Sequence, residues 1–369
     1  MHSLSILIKP ASSLCNLRCE YCFYANVSDL RQVRSYGIMP QATAHTVIDR
    51  ALEALPSGDL HIAFQGGEPT LSGLPFFRDF VTYAERCAGE KVRIHYSIQT
   101  NGMVIDEEWA QFLAEHHFLV GLSLDGEEFW QNECRKAPGG VGSYARVMEA
   151  TAHLRSAGAE FNILTVLTAR SATHPRALWN FYKKNRFAFV QIVPCLAPLE
   201  DPRESQFYTL TPQAYGTFLK QFFAIWAKEL YAGNYISVRL FDNFVRMAMG
   251  ERPEQCGLTG TCSPQFVIEA DGGVYPCDFY VLDEYRCGSV CELSFSEIYR
   301  SEAMRRFLTE GSRLMPQCRS CPAFRICGGG CRRYRSLYFL ERGYCPHRDF
   351  WESCWGEICK VAQFVRSRQ

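Results

Sequence analysis

Cys15, Cys19 and Cys22 share one tight loop, "CNLRCEYCFY", separated by three and then two residues. A closed structural metal site takes four protein donors, whether it holds zinc or an iron–sulfur cluster. Three thiolates at this spacing wrap one corner of a cubane cluster and bind three of its irons. The fourth iron then keeps a position open for a substrate. A zinc knuckle completed by a distant fourth ligand is the alternative.

A second set lies far downstream, in "CGLTGTC", "YPCDFY", "CRSCPAFRICGGGC" and "YC". It supplies eight thiols: Cys256, Cys262, Cys277, Cys318, Cys321, Cys327, Cys331 and Cys345. Eight is the number that fully ligates two cubane clusters, and it equally serves two zinc ribbons. Spacing alone does not decide the pairing. Cys354 and Cys359 follow closely and compete for the last ligand position. Cys87, Cys134, Cys195, Cys287 and Cys291 read as ordinary buried thiols. Asp278 directly follows Cys277, either as a base beside a cluster or as the cap of a turn. Asp271 and Asp283 read as turn residues.

The elements that must position these groups alternate in type. Apolar or β-branched runs occur in "LSILIKP", "LHIAFQGGEP", "VRIHYSIQTNG", "FLVGLSLDG", "EFNILTVLT" and "FAFVQIVPCL". Between them, "ATAHTVIDRALEAL", "FFRDFVTYAERC" and "YARVMEATAHLRSAG" repeat apolar residues at helical spacing. Six such units predict an α/β fold, a partial (β/α)6 TIM-like barrel of parallel strands. A C-terminal cysteine-rich extension follows. The expected domains are 1–235 for the barrel and 236–369 for the extension with a C-terminal helix. Glycine and polar residues gather just after the strands, in "QGGEP", "QTNG" and "LDG", where ligands of parallel sheets bind.

Composition narrows the function classes. Lys+Arg and Asp+Glu both total 39 in 369 residues, so the net charge is zero and no strong attraction to nucleic acid or an anionic membrane is expected. No apolar stretch approaches the roughly 20 residues that span a bilayer. The N-terminal apolar run is too short for a signal peptide. A cytoplasmic protein is expected, and there 18 cysteines imply metal ligation rather than disulfides.

The pattern Cys-x3-Cys-x2-Cys followed by an aromatic resembles the signature of radical S-adenosylmethionine enzymes. In that family the methionine end of S-adenosylmethionine chelates the open iron, and its reductive cleavage gives a 5′-deoxyadenosyl radical. "GGEP" resembles the motif that contacts the methionine amino group. Ser123 and Arg135 match positions that bind the methionine carboxylate, and a guanidinium clamps a carboxylate with two hydrogen bonds. Tyr21, Gly67 and Leu196 follow as cofactor contacts by the same resemblance. The tail resembles the SPASM extension of peptide-modifying radical enzymes. The whole chain resembles anaerobic sulfatase-maturating enzymes in "LIKPASSLCNLRCEYCFY", "FQGGEPTL", "CGLTGTC", "VYPCDFYVLD" and "CGGGCRR".

This resemblance implies a radical SAM oxidoreductase that converts an active-site Cys or Ser of a sulfatase to Cα-formylglycine under anaerobic conditions. It implies three [4Fe-4S] clusters, with Cys256, Cys262, Cys277 and Cys331 on one auxiliary cluster and Cys318, Cys321, Cys327 and Cys345 on the other. Asp278 is the implied proton acceptor. Independently of the resemblance, Phe23, Tyr24 and Gln65 are expected to line the substrate side, where aromatics beside the cluster loop shield a radical from water. The implied partners are a sulfatase segment with a Cys/Ser-x-Pro/Ala-x-Arg motif and a one-electron reductant such as flavodoxin or ferredoxin. Two alternatives compete: a SPASM enzyme that crosslinks ribosomal precursor peptides, and a non-catalytic iron–sulfur electron carrier.

Overall fold

The structure is a computed structural model that describes residues 2–200, 206–335, 337 and 343–368. Its strands are β1 (Ser3–Ile8), β2 (Gly58–Phe64), β3 (Val92–Thr100), β4 (Leu119–Ser123), β5 (Phe161–Leu167), β6 (Phe189–Pro194), β7 (Ser237–Val238), β8 (Val267–Ile268) and β9 (Val274–Tyr275). The chain forms two compact units. One comprises residues 1–123, 131–161 and 264–308, and the other 124–130, 162–263 and 309–369.

In the first unit β1 to β4 run parallel, with Ile6 opposite Ile62, Ile62 opposite Tyr96 and Ile98 opposite Val120. Alternation decides which face is covered. Leu4, Ile6 and Ile8 of β1 and Leu60, Ile62 and Phe64 of β2 are all buried. Helices α1 (Phe23–Asp29), α2 (Gln41–Ala54), α3 (Leu74–Ala88) and α4 (Glu107–Glu115) follow the strands. α3 carries Phe77 and Phe80 edge-on to Phe64, at ring-centroid distances of 4.9 and 5.1 Å. Each fully buried ring of this kind contributes about 1.5–3 kcal/mol through burial. Asp106 caps α4 by accepting from the Trp109 amide at 2.9 Å. The alternate face of β3 carries Ser97 and Gln99, both partly open.

Two short strands extend this sheet beyond β1. β8 pairs parallel with β1, and β9 returns antiparallel to β8. Residues far along the chain thereby reach the edge of the first strand, and Cys277 and Asp278 follow β9 directly.

The second unit carries β5, β6 and β7 in parallel, with Ile163 opposite Val190 and Val190 opposite Val238. Leu124 donates to the Leu164 carbonyl at 3.0 Å, continuing the parallel pattern. Its core is aromatic. Phe223 and Phe241, from helices Pro212–Tyr231 and Arg239–Ala248, pack on Phe350 of the C-terminal helix Pro346–Arg366, with centroids 5.6 and 6.3 Å away. Strands β1 to β6, each followed by at least one helix, match the α/β expectation. Among the described residues, no helix is long and apolar enough to cross a membrane.

Candidate functional site

The cysteine loop leaves the end of β1 and is fixed by backbone bonds on both sides. The Arg18 and Glu20 amides donate to the Lys136 and Cys134 carbonyls at 2.7 and 3.0 Å, and the Glu68 amide donates to the Leu14 carbonyl at 2.7 Å. Cys15, Cys19 and Cys22 form no disulfide, and each is partly buried. Cys22 occupies the position just before α1. The Cys15 sulfur accepts from the Leu17 amide at 3.4 Å and from Asn101 Nδ2 at 3.7 Å. Burial pushes the Cys15 thiol up to about 11, so a metal must displace its proton on binding.

Gly67 lies against this loop. It has φ +54°, and a Cβ there would sit 2.2 Å from the Leu14 carbonyl oxygen and 2.8 Å from that of Ser12. Only glycine permits both the conformation and the close approach. Glu68, next in "GGEP", is buried and ties the ends of β2 and β3 together. It accepts from the Thr70 amide and hydroxyl, the Thr100 hydroxyl and the Asn101 amide, at 3.1, 2.7, 2.7 and 2.7 Å. Burial raises its proton affinity, and these donors oppose the rise. Asn101 also donates to Asn16 Oδ1 at 2.7 Å, inside the cysteine loop.

The other candidate cofactor contacts divide between the units. Ser123 is buried at the end of β4, where its hydroxyl accepts from Gln99 Nε2 at 3.1 Å. Arg135 is buried with its guanidinium 5.4 Å from the centre of the Tyr21 ring, in cation–π contact. Tyr21, Gly67, Ser123 and Arg135 thus share the unit of the cysteine loop. Leu196 is buried in the second unit, just after β6.

Asp278 sits in a cradle within the first unit. Lys9 Nζ lies 2.8 Å from Oδ1, the Tyr24 hydroxyl donates to the same oxygen, and Gln65 Nε2 donates to Oδ2 at 3.0 Å. Lys9 is 1% exposed, and its ammonium lies 3.6 Å from the centre of the Tyr24 ring. Gly66 makes room for it, since a Cβ there would sit 2.8 Å from both Lys9 Cγ and Nζ. Phe23 packs between Tyr24 and Phe279 at 4.2 and 4.9 Å. Asp271 accepts from the Gly273 amide and Arg286, and Asp283 from the Gln32 amide. Those two carboxylates serve turns and loops, as expected.

Lys9 carried no role in the sequence reading, although a lysine directly after an apolar strand was a visible signal. Removing one partner of a buried ion pair costs about 3–5 kcal/mol. Lys9→Met should therefore lower the unfolding free energy by about that much in a denaturant titration. Adding Asp278→Asn should recover part of the loss. Additive losses would refute the coupling.

Two thiol groups form within the second unit. The proton affinity of Cys262 is raised by burial and then by the neighbouring Cys331 and Cys256. Gly260 and Gly328 press these stretches together: a Cβ on Gly260 would lie 2.3 Å from the Gly328 carbonyl oxygen. Cys318, Cys321, Cys327 and Cys345 form the other group. Cys327 is pushed up to about 12 by burial, with Cys345, Cys318 and Cys321 adding to the shift. Backbone amides of His347 and Arg348 bond the Cys345 sulfur at the start of the C-terminal helix. Burial pushes the Cys354 thiol to about 11, but its charged neighbours are Lys220, Asp349 and Glu357 rather than cysteines. Cys277 belongs to the first unit, next to Asp278.

An all-cysteine donor set with N–H groups directed at the sulfurs fits iron–sulfur ligation. Among the described residues, no three Cys, His, Asp or Glu side chains converge closely enough to hold a single metal ion. Cys134, Cys195 and Cys287 are buried as expected, whereas Cys87 and Cys291 are exposed. Cys87 falls near the solvent-facing end of α3, and Cys291 falls in a surface turn, so neither stretch packs its thiol inward.

Comparison with known proteins places this geometry among relatives. Residues 10–170 match the radical SAM superfamily, and residues 256–322 match an iron–sulfur cluster-binding domain, SPASM. The chain is 40% identical to the cysteine-type anaerobic sulfatase-maturating enzyme of Clostridium novyi, covering 100% of both chains. It is 29% identical to the serine-type enzyme of Bacteroides thetaiotaomicron, over 94% of this chain and 91% of that one. The solved structure of native anSMEcpe with bound AdoMet and Cp18Cys peptide superposes with a TM-score of 0.91 at 38% identity, covering 98% of this chain and 99% of that one.

Proposed function

We propose residue roles from one premise: the chain belongs to the anaerobic sulfatase-maturating enzymes of the radical S-adenosylmethionine superfamily. It is an oxidoreductase that converts a sulfatase cysteine to Cα-formylglycine without oxygen, and it uses iron–sulfur and S-adenosylmethionine chemistry. The conversion removes one hydrogen atom from Cβ, one proton from the thiol and one electron. Water then replaces sulfur in the resulting thioaldehyde and releases hydrogen sulfide.

Bound at the opening loop, S-adenosylmethionine supplies the acceptor of the hydrogen atom. Cys15, Cys19 and Cys22 hold the cluster that binds it. Arg135 clamps its carboxylate, with Tyr21 stacked on the guanidinium and Ser123 beside the strand end. Gly67 keeps the backbone close enough to meet the amino group, and Leu196 covers an apolar part of the cofactor.

Asp278 takes the thiol proton. Its Oδ1 already accepts from Lys9 and Tyr24, whereas Oδ2 accepts only from Gln65 among these cradle donors. A carboxylate oxygen accepts two hydrogen bonds readily, so Oδ2 is the receiving atom. Lys9 balances the carboxylate charge in a site that Phe23 and Phe279 help keep dry. The observation that carries this reading is the Asp278 cradle in the same unit as the cysteine loop.

The remaining roles extend the reading. Two further [4Fe-4S] clusters, for three in all, sit on Cys256, Cys262, Cys277 and Cys331 and on Cys318, Cys321, Cys327 and Cys345. The mutual influence of the second-unit thiols supports that pairing, and the surroundings of Cys354 favour Cys345 as the last ligand. The barrel spans 1–235 and the extension 236–369. The substrate is an extended sulfatase segment with a Cys/Ser-x-Pro/Ala-x-Arg motif, flavodoxin or ferredoxin supplies electrons, and the reducing cytoplasm keeps the thiols available.

Greater identity to the cysteine-type relative supports cysteine as the preferred residue. Reconstituted protein, S-adenosylmethionine and dithionite should act on matched Cys and Ser peptides, read by mass spectrometry. The Cys peptide should exchange sulfur for oxygen and lose two hydrogens, faster than the Ser peptide loses two hydrogens. No aldehyde on either peptide would overturn the proposal.

A further inference from the structure

We propose that His347 sets the reduction potential of the cluster on Cys318, Cys321, Cys327 and Cys345 by donating its Nδ1–H to the Cys327 sulfur. This rests on the reading that those four cysteines hold a cluster. His347 is 4% exposed and lies in the first turn of the helix Pro346–Arg366, two residues after Cys345. Its Nδ1 is 3.8 Å from Cys327 Sγ, and its ring packs near Tyr215, with centroids 6.2 Å apart. A ligating thiolate carries no proton and only accepts. The contact therefore requires the tautomer with hydrogen on Nδ1.

The amide donors around this set, Gly329 at Cys327 and His347 and Arg348 at Cys345, come from the backbone and persist whatever the side chains are. The imidazole is a donor chosen by the sequence. An N–H directed at a ligand sulfur stabilises the more negative, reduced cluster, so it raises the potential. His347 is a positioning residue here: it touches neither substrate nor cofactor and acts through Cys327.

The test uses the full chain carrying Cys15, Cys19 and Cys22→Ala, so that only the downstream clusters give a signal. About eight irons should remain, four for each cubane. An EPR-monitored redox titration should resolve two potentials. His347→Leu should lower one and leave the other in place. His347→Asn keeps an N–H where Nδ1 was and should stay near the parent value. Unchanged potentials in His347→Leu, or equal shifts in both, would overturn the proposal.

If His347→Leu loses iron, the native side chain decides. In protein labelled with histidine carrying 15N at ring Nδ1 alone, which leaves the His347 backbone amide at Cys345 silent, the reduced cluster should show a 15N coupling in pulsed EPR that disappears in His347→Asn. Absence of that coupling overturns the hydrogen bond. Too few irons in the parent protein would instead sink the cluster assignment itself.

Discussion

Replacing Cys15, Cys19 and Cys22 together by Ala should abolish reductive cleavage of S-adenosylmethionine and leave the downstream iron in place. The three thiols sit among backbone anchors at Leu14, Arg18 and Glu20 that do not depend on them. The fold should therefore survive the substitution, since the core under β1 and β2 is built from Ile6, Ile8, Ile62 and Phe64. The expected signature is a split: no 5′-deoxyadenosine above background, about eight irons retained if the two proposed downstream cubanes are present, and an unchanged thermal midpoint. Retained cleavage would refute the assignment of the loop.

Asp278→Asn is the second large effect. Asparagine keeps the shape of the side chain, but its amide is no base, and general-base catalysis is worth about 10²–10⁴ in rate. Formylglycine formation should fall within that range while 5′-deoxyadenosine continues to appear, uncoupled from product. The substitution also leaves Lys9 buried opposite a neutral group, at 1% exposure, which costs about 3–5 kcal/mol. Pairing it with Lys9→Met separates the two effects. The double variant should regain stability and stay inactive. Recovery of aldehyde formation in the double variant would show that Asp278 acts only through the fold.

How much of this was legible depends on sequence distance. β2 and β3 announced themselves in "LHIAF" and "VRIHYSIQT", because five or more residues in alternation leave a period. β7, β8 and β9 are two residues each, too short for any period, and they went unread. That omission hid the device that brings Asp278 to the end of β1. Gly67 and Arg135 were singled out through the family resemblance, which said nothing of the backbone contact that makes Gly67 obligatory.

Lys9 escaped because its partner lies 269 positions away, and no local pattern marks such a pair. Glu68 and Asn101 stood inside quoted motifs without roles, since the bonds that join them connect two different strand ends. The thiols were legible as a count and illegible as groups. Burial at Cys87 and Cys291 was read wrongly because cysteine is usually interior, yet here the thiols fall on solvent-facing positions of a helix and a turn.

The most direct measurement follows one hydrogen. A sulfatase peptide with deuterium on the cysteine Cβ is incubated anaerobically with reconstituted protein, S-adenosylmethionine and reductant, and both products are weighed by mass spectrometry. The account predicts one deuterium in 5′-deoxyadenosine for each formylglycine formed. Formylglycine accompanied by unlabelled 5′-deoxyadenosine would contradict it.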